Sequence, residues 1–276
     1  MSGGGALRLA ALAASVAAAV AVALLPVVWM VGTSLKPPGE FVSESVDLLP
    51  DAVTFEHYRS ILADGVARRL ANSAYVTAGA TLLALVVGFL AAYGLTRFRF
   101  PARLDIVFLL LVLAIKLMPP IVVAIPLFQI LRTLNLLDTL TGLVLAYQIY
   151  TLPFAIWMLL GFVRDVPVAL EEAAALDGAS MARTLLTVVV PLCGPGLVAT
   201  AVFTAVLAWN EFLFALLFLQ TPSRFTLPIY IATFITENET LWGRLMAIGF
   251  LASFPLIAAV GYMQRYLLRG FAMGLS

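Results

Sequence analysis

Lys116, Asn210 and Glu211 are polar side chains within runs of sequence that are otherwise apolar enough to cross a membrane. An ionisable group inside a membrane is costly to bury and is therefore a candidate for function by default. Lys116 and Glu211 could relay a proton, pair with each other, or line the path of a polar solute. The structural alternative is a set of hydrogen bonds that holds membrane helices together.

The charge of Lys116 can be weighed against the apolar residues around it. A lysine at the bilayer centre costs about 2.5–3.5 kcal/mol on insertion scales. The Leu, Ile, Val and Phe residues of the run 106–130 favour insertion by roughly 5–10 kcal/mol. The run should therefore insert with Lys116 in it. Beside the break expected at Pro119–Pro120, this lysine could face a pathway, snorkel to an interface or pair with Glu211.

The segment Glu171–Pro191 is the longest mixed polar stretch in the second half of the chain, with apolar runs on both sides. Its first residues, through Ala175, are good helix formers, and Gly178 is expected to end that helix. A second short helix is predicted over about residues 179–190, with Pro191 ending it. The pattern predicts a compact helix–turn–helix unit; the alternative is an ordinary solvated loop between spans.

Fixed spacing makes this segment more specific: Glu172-Ala173-Ala174, three residues, Gly178, nine residues, Val188, one residue, and Val190-Pro191. The pattern resembles the cytoplasmic EAA loop of ABC importer permeases, with Val188 and Val190 in place of the usual Ile and Leu. In that family the loop is a coupling helix that docks in a cleft of the ATP-hydrolysing subunit. The resemblance implies an ATPase-coupling set made of Glu171, Glu172, Ala173, Ala174, Leu176, Asp177, Gly178 and Ala179.

Further short motifs extend the resemblance over nearly the whole chain. They are similar to the carbohydrate-uptake branch of the family, and within it to the shorter, six-span permease of maltose- and trehalose-type systems. The resemblance implies an all-α, polytopic membrane protein with six transmembrane helices and the type I ABC importer permease fold. The motifs are Asn72-Ser73, Ala91-Ala92-Tyr93, Arg97-Phe98-Arg99-Phe100-Pro101, Trp209-Asn210-Glu211-Phe212, Leu241-Trp242-Gly243, Gln264-Arg265-Tyr266 and Arg269-Gly270.

The same resemblance implies partners: a second permease, two ATPase subunits and an extracytoplasmic solute-binding protein. ATP and Mg would be held by the ATPase subunits, and this chain would bind no cofactor. Sugars require hydrogen-bonding groups beside aromatic faces. The substrate-pathway candidates are Lys116, Gln148, Trp209, Asn210 and Glu211, and the binding-protein contacts are Asn238, Glu239 and Trp242.

Composition alone places the chain in a membrane. Of its 276 residues, 63% are hydrophobic and only 11% are charged, against about 25% charged in soluble domains. Membrane lipid is thus a partner, while a net charge of +1 with no basic tail gives no sign of nucleic-acid binding. The single cysteine, Cys193, excludes an internal disulfide and is expected to be a small apolar filler.

We expect one transmembrane domain over residues 1–276, because about 20 apolar residues cross the hydrocarbon core. The first run is longer than a signal-peptide core of roughly 7–15 residues, so it is interpreted as an uncleaved span. Between the first two spans, an amphipathic helix is predicted with Phe55, Tyr58, Ile61 and Leu62 on one face. The predicted spans are about 7–31, 71–95, 106–130, 140–163, 197–219 and 245–262, with a cytoplasmic coupling loop over 164–195.

Basic residues barely decide the orientation, since eight fall in inner segments and seven in outer ones if the loop 164–195 lies inside. A loop that meets an ATPase must face the cytosol, which places both termini there. The expected location is the plasma (inner) membrane of a bacterium or archaeon.

Three classes of function compete. An importer permease needs no ATPase of its own, and the sequence contains no GxxxxGK[ST] phosphate loop. The alternative is an ion-coupled secondary transporter that uses Lys116 and Glu211, a class that typically shows internal repeats. An intramembrane enzyme lacks a catalytic set, because the only histidine is His57 in an outer loop.

Overall fold

The computed structural model describes residues 3–38, 40, 48, 50–236 and 240–273. Within these residues the chain is helical, and the single β-type pairing is an isolated antiparallel bridge between Ile235 and Thr240. The all-α prediction is therefore confirmed.

Thirteen helices follow one another along the described chain, numbered here α1 to α13. The ninth contains a π-helical turn over Leu185–Val189. Short 3₁₀ turns lie at Pro101–Arg103 and Pro222–Arg224. The helices are α1 Gly3–Ser34, α2 Glu56–Ala63, α3 Val66–Arg97, α4 Leu104–Leu117, α5 Pro120–Thr133, α6 Leu140–Ala146, α7 Gln148–Arg164, α8 Val168–Leu176, α9 Met181–Leu192, α10 Gly194–Trp209, α11 Leu213–Phe218, α12 Leu227–Ala232 and α13 Trp242–Met273.

Three stretches of helix are individually long and apolar enough to cross a membrane, namely Arg8–Ser34, Val66–Arg97 and Trp242–Tyr262. Three further pairs of helices meet this condition only together. The bend within each pair is 103° between α4 and α5, 45° between α6 and α7, and 75° between α9 and α10. The described chain thus has up to six spans, if each bent pair is one span.

The predicted span 106–130 is broken at Met118 and Pro119, where the backbone is extended. Both residues precede a proline, and steric clash with a following proline ring disfavours the helical region. Proline also lacks the N–H that a continuing helix would need. The consecutive prolines therefore end α4 and start α5.

Helix does not run without a break through the predicted span 197–219. Helix α10 ends at Trp209, Asn210 is its C-cap, and a new helix begins at Leu213. The Glu211 carboxylate accepts hydrogen bonds from the backbone N–H groups of Phe214 and Ala215, at 2.9 and 3.3 Å. These bonds satisfy donors that the new helix start leaves without an intrahelical partner.

Contacts divide the chain into two compact units. The first comprises Met1–Ala67 and Tyr230–Phe254, and the second Arg68–Ile229 and Pro255–Ser276. In the first unit, Nε2 of His57 donates to the carbonyl of Lys36 at 2.9 Å, and the Tyr58 hydroxyl lies 2.7 Å from the Ser34 hydroxyl. A side chain at Gly243 would collide with the His57 ring, so helix α13 approaches α2 closely there.

The face predicted for α2 is only partly correct. Ile61 is buried, and His57 is buried beside it, whereas Phe55 and Leu62 are exposed. The hydrogen bond of His57 to a backbone carbonyl allows this polar ring to take an inner position. The apolar residues at the ends of α2 face outward instead.

Two large hydrophobic cores lie in the second unit. One is built from α5, α6 and α11, with Leu131, Leu143, Tyr147, Phe214 and Phe218 at its centre. The other joins α3 and α7 to the helix–turn–helix segment. Its members include Tyr93, Leu159, Val163, Val166, Val189 and Cys193. Burial of Cys193 agrees with the packing role expected for it.

Candidate functional site

The segment predicted as helix–turn–helix has that form. Helix α8 begins after Pro167 and ends at Leu176, and Gly178 follows with a φ of +83°. The N–H of Gly178 donates to the carbonyl of Ala175, and that of Ala179 to the carbonyl of Ala174, at 3.0 and 2.9 Å. This pair of bonds is the Schellman helix end, which requires the left-handed conformation that glycine adopts without strain.

Helix α9 returns from this corner. The Ser180 hydroxyl accepts from the backbone N–H of Arg183 at 3.4 Å and caps the helix start. The helix continues to Leu192, so Pro191 lies in its last turn and the predicted end is about two residues early. We call the unit from Val168 to Leu192 the coupling hairpin, after the role that the sequence predicts for it.

One side of the coupling hairpin is exposed among the residues that the structure describes. Glu172 and Asp177 are exposed, and Leu176 is 89% exposed at the tip. Small residues separate these side chains, with Ala173 and Gly178 exposed and Ala174 and Ala179 half-buried. A protruding leucine beside a carboxylate and small residues forms a surface that another protein can approach closely.

Glu171 points the other way. Its Oε1 lies 2.7 Å from Nε of Arg97, and its Oε2 accepts a hydrogen bond from the Tyr93 hydroxyl at 2.8 Å. Each side chain of the ion pair is only 11% exposed. Nη2 of Arg97 also donates to the carbonyls of Val163 and Val166, at 3.1 and 2.7 Å. Both carboxylate oxygens of Glu171 are thus engaged inside the chain, although the family resemblance places this residue among the ATPase contacts.

In the sequence, Tyr93 and Arg97 belong to family-like motifs, and Arg97 counts among the basic residues of the inner segments. The sequence predicts no partner for either side chain. An arginine at the end of a span ordinarily anchors the helix at the membrane surface. No signal in a single sequence connects Arg97 with a carboxylate 74 positions later. The contact becomes visible only when α3 and α8 are placed side by side.

The substrate-pathway candidates do not form one cluster. Lys116 is exposed, and its Nζ lies 5.3 Å from the centre of the Phe154 ring. Glu211 caps α11 and does not form an ion pair with Lys116 in the described part of the chain. Asn210 is exposed and donates to the carbonyl of Val206 within its own helix.

Gln148 and Trp209 are more enclosed. The Gln148 amide nitrogen donates to the carbonyls of Ala80 and Val144, at 3.2 and 3.0 Å, while its buried carbonyl oxygen has no hydrogen-bond partner among the described residues. Trp209 is buried at the wall of an almost wholly apolar cavity of about 480 Å³ between α3, α10 and α13. Across the five candidates, no hydrogen bond or ion pair joins any two within the described ranges.

Aromatic residues that the sequence reasoning missed surround Glu211. The Tyr147 hydroxyl donates to the backbone carbonyl of Glu211 at 3.3 Å. The rings of Tyr150 and Phe214 are stacked, with centroids 5.1 Å apart, and Phe218 stacks on Phe214 at 5.5 Å. These rings fix the start of α11 in position.

The polar loop after α11 is held by two side chains from other helices or loops. Asp138 accepts hydrogen bonds from the N–H of Gln220 and from the N–H and hydroxyl of Thr221, and it pairs with Arg224 at 3.0 Å. Burial acts to raise the pKa of Asp138, but these hydrogen bonds and the nearby guanidinium lower it below its usual value. Asn72 donates to the carbonyls of two residues further along the same loop.

The residues predicted to contact a binding protein are only partly described. Asn238 and Glu239 lie outside the described residues. Trp242 is the first residue of α13, and its side chain is exposed.

Residues 84–272 match the model of a family described as the binding-protein-dependent transport system inner membrane component. The match covers more than half of the chain. The chain belongs to this family. Its members are transport components, which confirms the prediction of a transport subunit that is not an enzyme. It is thus a multi-pass inner-membrane permease.

Curated relatives cover nearly the whole permease. It is 37% identical over 255 residues to the trehalose transport system permease of Mycobacterium tuberculosis, across 91% of this chain and 92% of the relative. It is 34% identical over 252 residues to the diacetylchitobiose uptake system permease of Streptomyces coelicolor, across 91% of each chain. A trehalose/maltose transport system permease of Thermococcus litoralis is 33% identical over 257 residues, across 92% of this chain and 91% of the relative.

Solved structures confirm the fold. A chain of a bacterial ABC transporter involved in import of the acidic polysaccharide alginate superposes with a TM-score of 0.80 at 22% identity, across 96% of the permease and 98% of that chain. A chain of the MetNI methionine ABC transporter gives a TM-score of 0.60 at 18% identity, across 79% of the permease and 99% of that chain. At these identities the likeness concerns the fold alone.

Proposed function

We propose that this permease imports a sugar, either an oligosaccharide or a related polyol, in a binding-protein-dependent ABC system. The support is the set of relatives at 30–37% identity whose names refer to trehalose, maltose and chitobiose transport. The observation that carries the coupling role is the hairpin itself. It presents Glu172 and the exposed Leu176 on one side, while the opposite side is bonded to the permease.

The partners of this proposal are a second permease that shares the translocation pathway, two ATPase subunits and an extracytoplasmic solute-binding protein. ATP and Mg belong to the ATPase subunits, and the permease itself binds no cofactor. The coupling hairpin and both termini then face the cytosol. Asn238, Glu239 and Trp242 are proposed contacts of the binding protein on the outer side.

Glu172 is the residue proposed to face the ATPase. It is exposed here, and the adjacent alanines add little bulk, so a basic group on the partner can reach its carboxylate. A charge pair that becomes desolvated on docking contributes more than a pair that stays at the surface. Leu176 would enter an apolar pocket of the same partner, because a leucine this exposed gains free energy when it is covered.

Lys116 and Glu211 give little support to ion-coupled secondary transport. A proton relay needs the two groups within hydrogen-bonding reach, directly or through water. Glu211 instead bonds to the backbone of α11, and Lys116 lies over the Phe154 ring. This arrangement therefore does not support a direct proton transfer between Lys116 and Glu211.

The test is co-purification of the tagged permease from its own host with everything that it binds. We expect an ATPase and a second permease to be captured, and Glu172→Lys to lower ATPase capture and solute uptake at unchanged membrane level. Glu56→Lys, an exposed carboxylate in α2, is the matched control and should behave as the wild type. Solute uptake by the isolated permease, reconstituted without ATP, would contradict the proposal.

A further inference from the structure

The hydrogen bonds of Arg97 connect three helical elements at one point. Arg97 is the last residue of α3, Glu171 lies in the first turn of α8, and Val163 lies in the last turn of α7. Val166, the third partner of Arg97, lies in the link between α7 and α8. We call Tyr93, Arg97 and Glu171 the joint.

The joint has the properties of a fixed connection. An arginine–carboxylate pair is charge-assisted and directional, and the guanidinium fork can bond several acceptors without moving. Three of its donors are used here, on one carboxylate and two backbone carbonyls. The second oxygen of Glu171 is satisfied by Tyr93. Loss of either charge would leave the other poorly solvated, because both side chains are nearly buried.

The two ends of α8 have different surroundings, because the joint lies near its first residues. The first turn is bonded to α3, while the far end, with Leu176, is exposed. Glu171 and Leu176 are five residues apart in α8, so the joint and the exposed tip are ~7.5 Å apart along the helix axis at 1.5 Å per residue. A force applied to the exposed end can pass along the chain, through Gly178 into α9 or back through α8 into α7. It can also pass across the joint into α3, a single helix of 32 residues that is long and apolar enough to cross the membrane.

We propose that Arg97 is a positioning residue that carries the movement of the coupling hairpin into α3, so that ATP hydrolysis is tied to opening of the solute pathway. The inference rests on the proposed function and deepens it, since it assigns a part of the coupling to residues that do not touch the ATPase. Glu172 binds the partner, and Glu171, its neighbour in sequence, transmits. The two adjacent glutamates therefore have separate roles in the coupling.

The separate roles of Glu172 and Glu171 lead to different expected effects when each residue is substituted. Removing Glu172 weakens binding of the ATPase, because the docking charge is lost. Removing the joint leaves the exposed side of the hairpin unchanged, so the ATPase still binds and hydrolyses ATP. Helix α3 then no longer moves with the hairpin. The expected signature is wasted hydrolysis, in which more ATP is consumed for each solute molecule that is imported.

The experiment uses the full complex of both permeases, the ATPases and the binding protein in proteoliposomes. It measures ATPase capture and the ratio of ATP hydrolysed to solute transported. Arg97→Met and Glu171→Gln should keep capture within about twofold and raise the ratio about tenfold, a change within the usual range for coupling between sites. Tyr93→Phe, which removes one hydrogen bond and no charge, should raise the ratio less.

Two further variants show whether a changed ratio comes from loss of the joint or from misfolding of the permease. Arg97→Lys keeps the charge but loses the guanidinium fork, and should still raise the ratio. The exchange Arg97→Glu with Glu171→Arg should bring the ratio part of the way back from the value of Arg97→Glu alone. Arg99→Met is the matched control, because Arg99 is exposed two residues away and should leave the ratio unchanged.

An unchanged ratio in Arg97→Met and Arg97→Lys would overturn the inference. Parallel loss of capture and uptake in both variants would also overturn it, because the joint would then only hold the hairpin in its fold. Neither result concerns the proposed function, which fails separately if the wild-type permease captures no ATPase. The two hypotheses are therefore distinguished in one set of measurements.

Discussion

The carboxylate of Glu211 accepts a hydrogen bond from the backbone N–H of Phe214 at 2.9 Å. An acidic residue within an apolar stretch is a candidate for ion or solute binding. Here it caps the start of α11, and a second bond to Ala215 uses its other oxygen. The capping contact explains how the chain tolerates an acidic residue at the end of α10.

We expect Glu211→Ala to destabilise the permease by about 0.5–2 kcal/mol, the usual cost of a lost helix cap. Glu211→Gln keeps one acceptor oxygen and should lose less. The thermal midpoint of the purified complex measures both effects. Asn210→Ala is the control, since Asn210 bonds only within its own helix and should shift the midpoint little. Full stability with abolished uptake in Glu211→Ala would indicate a solute-binding role instead.

Gly178 is expected to be sensitive to any side chain, whatever its size. Its φ is +83°, and a Cβ placed there would meet no atom within 4 Å. The cost is thus backbone strain of about 1–2 kcal/mol and not crowding at the corner. Gly178→Ala and Gly178→Leu should reduce solute uptake by similar factors at matched protein level, and Gly178→Asn should reduce it less.

Gly161 provides the comparison for this prediction. It lies within helix α7, and a Cβ there would also meet open space. Its backbone is helical, so Gly161→Ala should be neutral or slightly stabilising. If Gly178→Leu is much more damaging than Gly178→Ala, bulk and not strain is what the corner excludes.

Asp138 should make the stability of the polar loop after α11 depend on pH in the acidic range. Its pKa in the folded chain lies below the ordinary value of about 3.9. A lowered pKa adds stability above the unfolded-state value, and that stability is lost as the pH falls through the folded-state value. The difference in thermal midpoint between wild type and Asp138→Asn should therefore be largest near neutral pH and shrink below about pH 4.

Asp51→Asn serves as the control for the pH series, because the side chain of Asp51 is exposed. Its effect on the midpoint should be small at every pH. A difference between wild type and Asp138→Asn that stays constant down to pH 3 would show that the charge of Asp138 contributes nothing to the loop.

The sequence was sufficient where local rules decide the structure. Spacing predicted the Gly178 corner, because a helix end of this type needs a residue that accepts positive φ. Composition predicted a membrane chain, because few charges and long apolar runs leave no other class. The prolines at 119 and 120 showed where a break was expected, although not that it reaches 103°.

The sequence was insufficient where distant residues meet. The separation of Glu171 from Glu172 depends on Arg97, which is far away in the chain. The break at Asn210 contains no proline that would indicate it, and the new helix that starts after it depends on a cap that Glu211 provides. Hydropathy averages over such a stretch and therefore predicted the span 197–219 without showing the break inside it.

Lys116 is not explained by the folded chain alone. Its contact with the Phe154 ring is a cation–π interaction, worth about 0.5–1 kcal/mol at an exposed site. The cost of a lysine within a span is about 2.5–3.5 kcal/mol, and no carboxylate among the described residues forms an ion pair with Lys116. The exposed ammonium group is thus available to donate hydrogen bonds to the oxygen atoms of a solute.

We therefore expect Lys116→Met to raise the KM of solute uptake by at least about tenfold, because a hydrogen bond to a charged group contributes about 1.5–3 kcal/mol. ATPase capture should not change, since the coupling hairpin is untouched. Lys116→Arg keeps the charge and should raise KM less. The measurement is the initial rate of uptake into proteoliposomes over a range of solute concentrations. If Lys116→Met leaves KM unchanged and raises the amount of permease in the membrane, Lys116 only snorkels to the interface. The variant would then import solute normally, and it would no longer carry the free-energy cost of inserting a lysine.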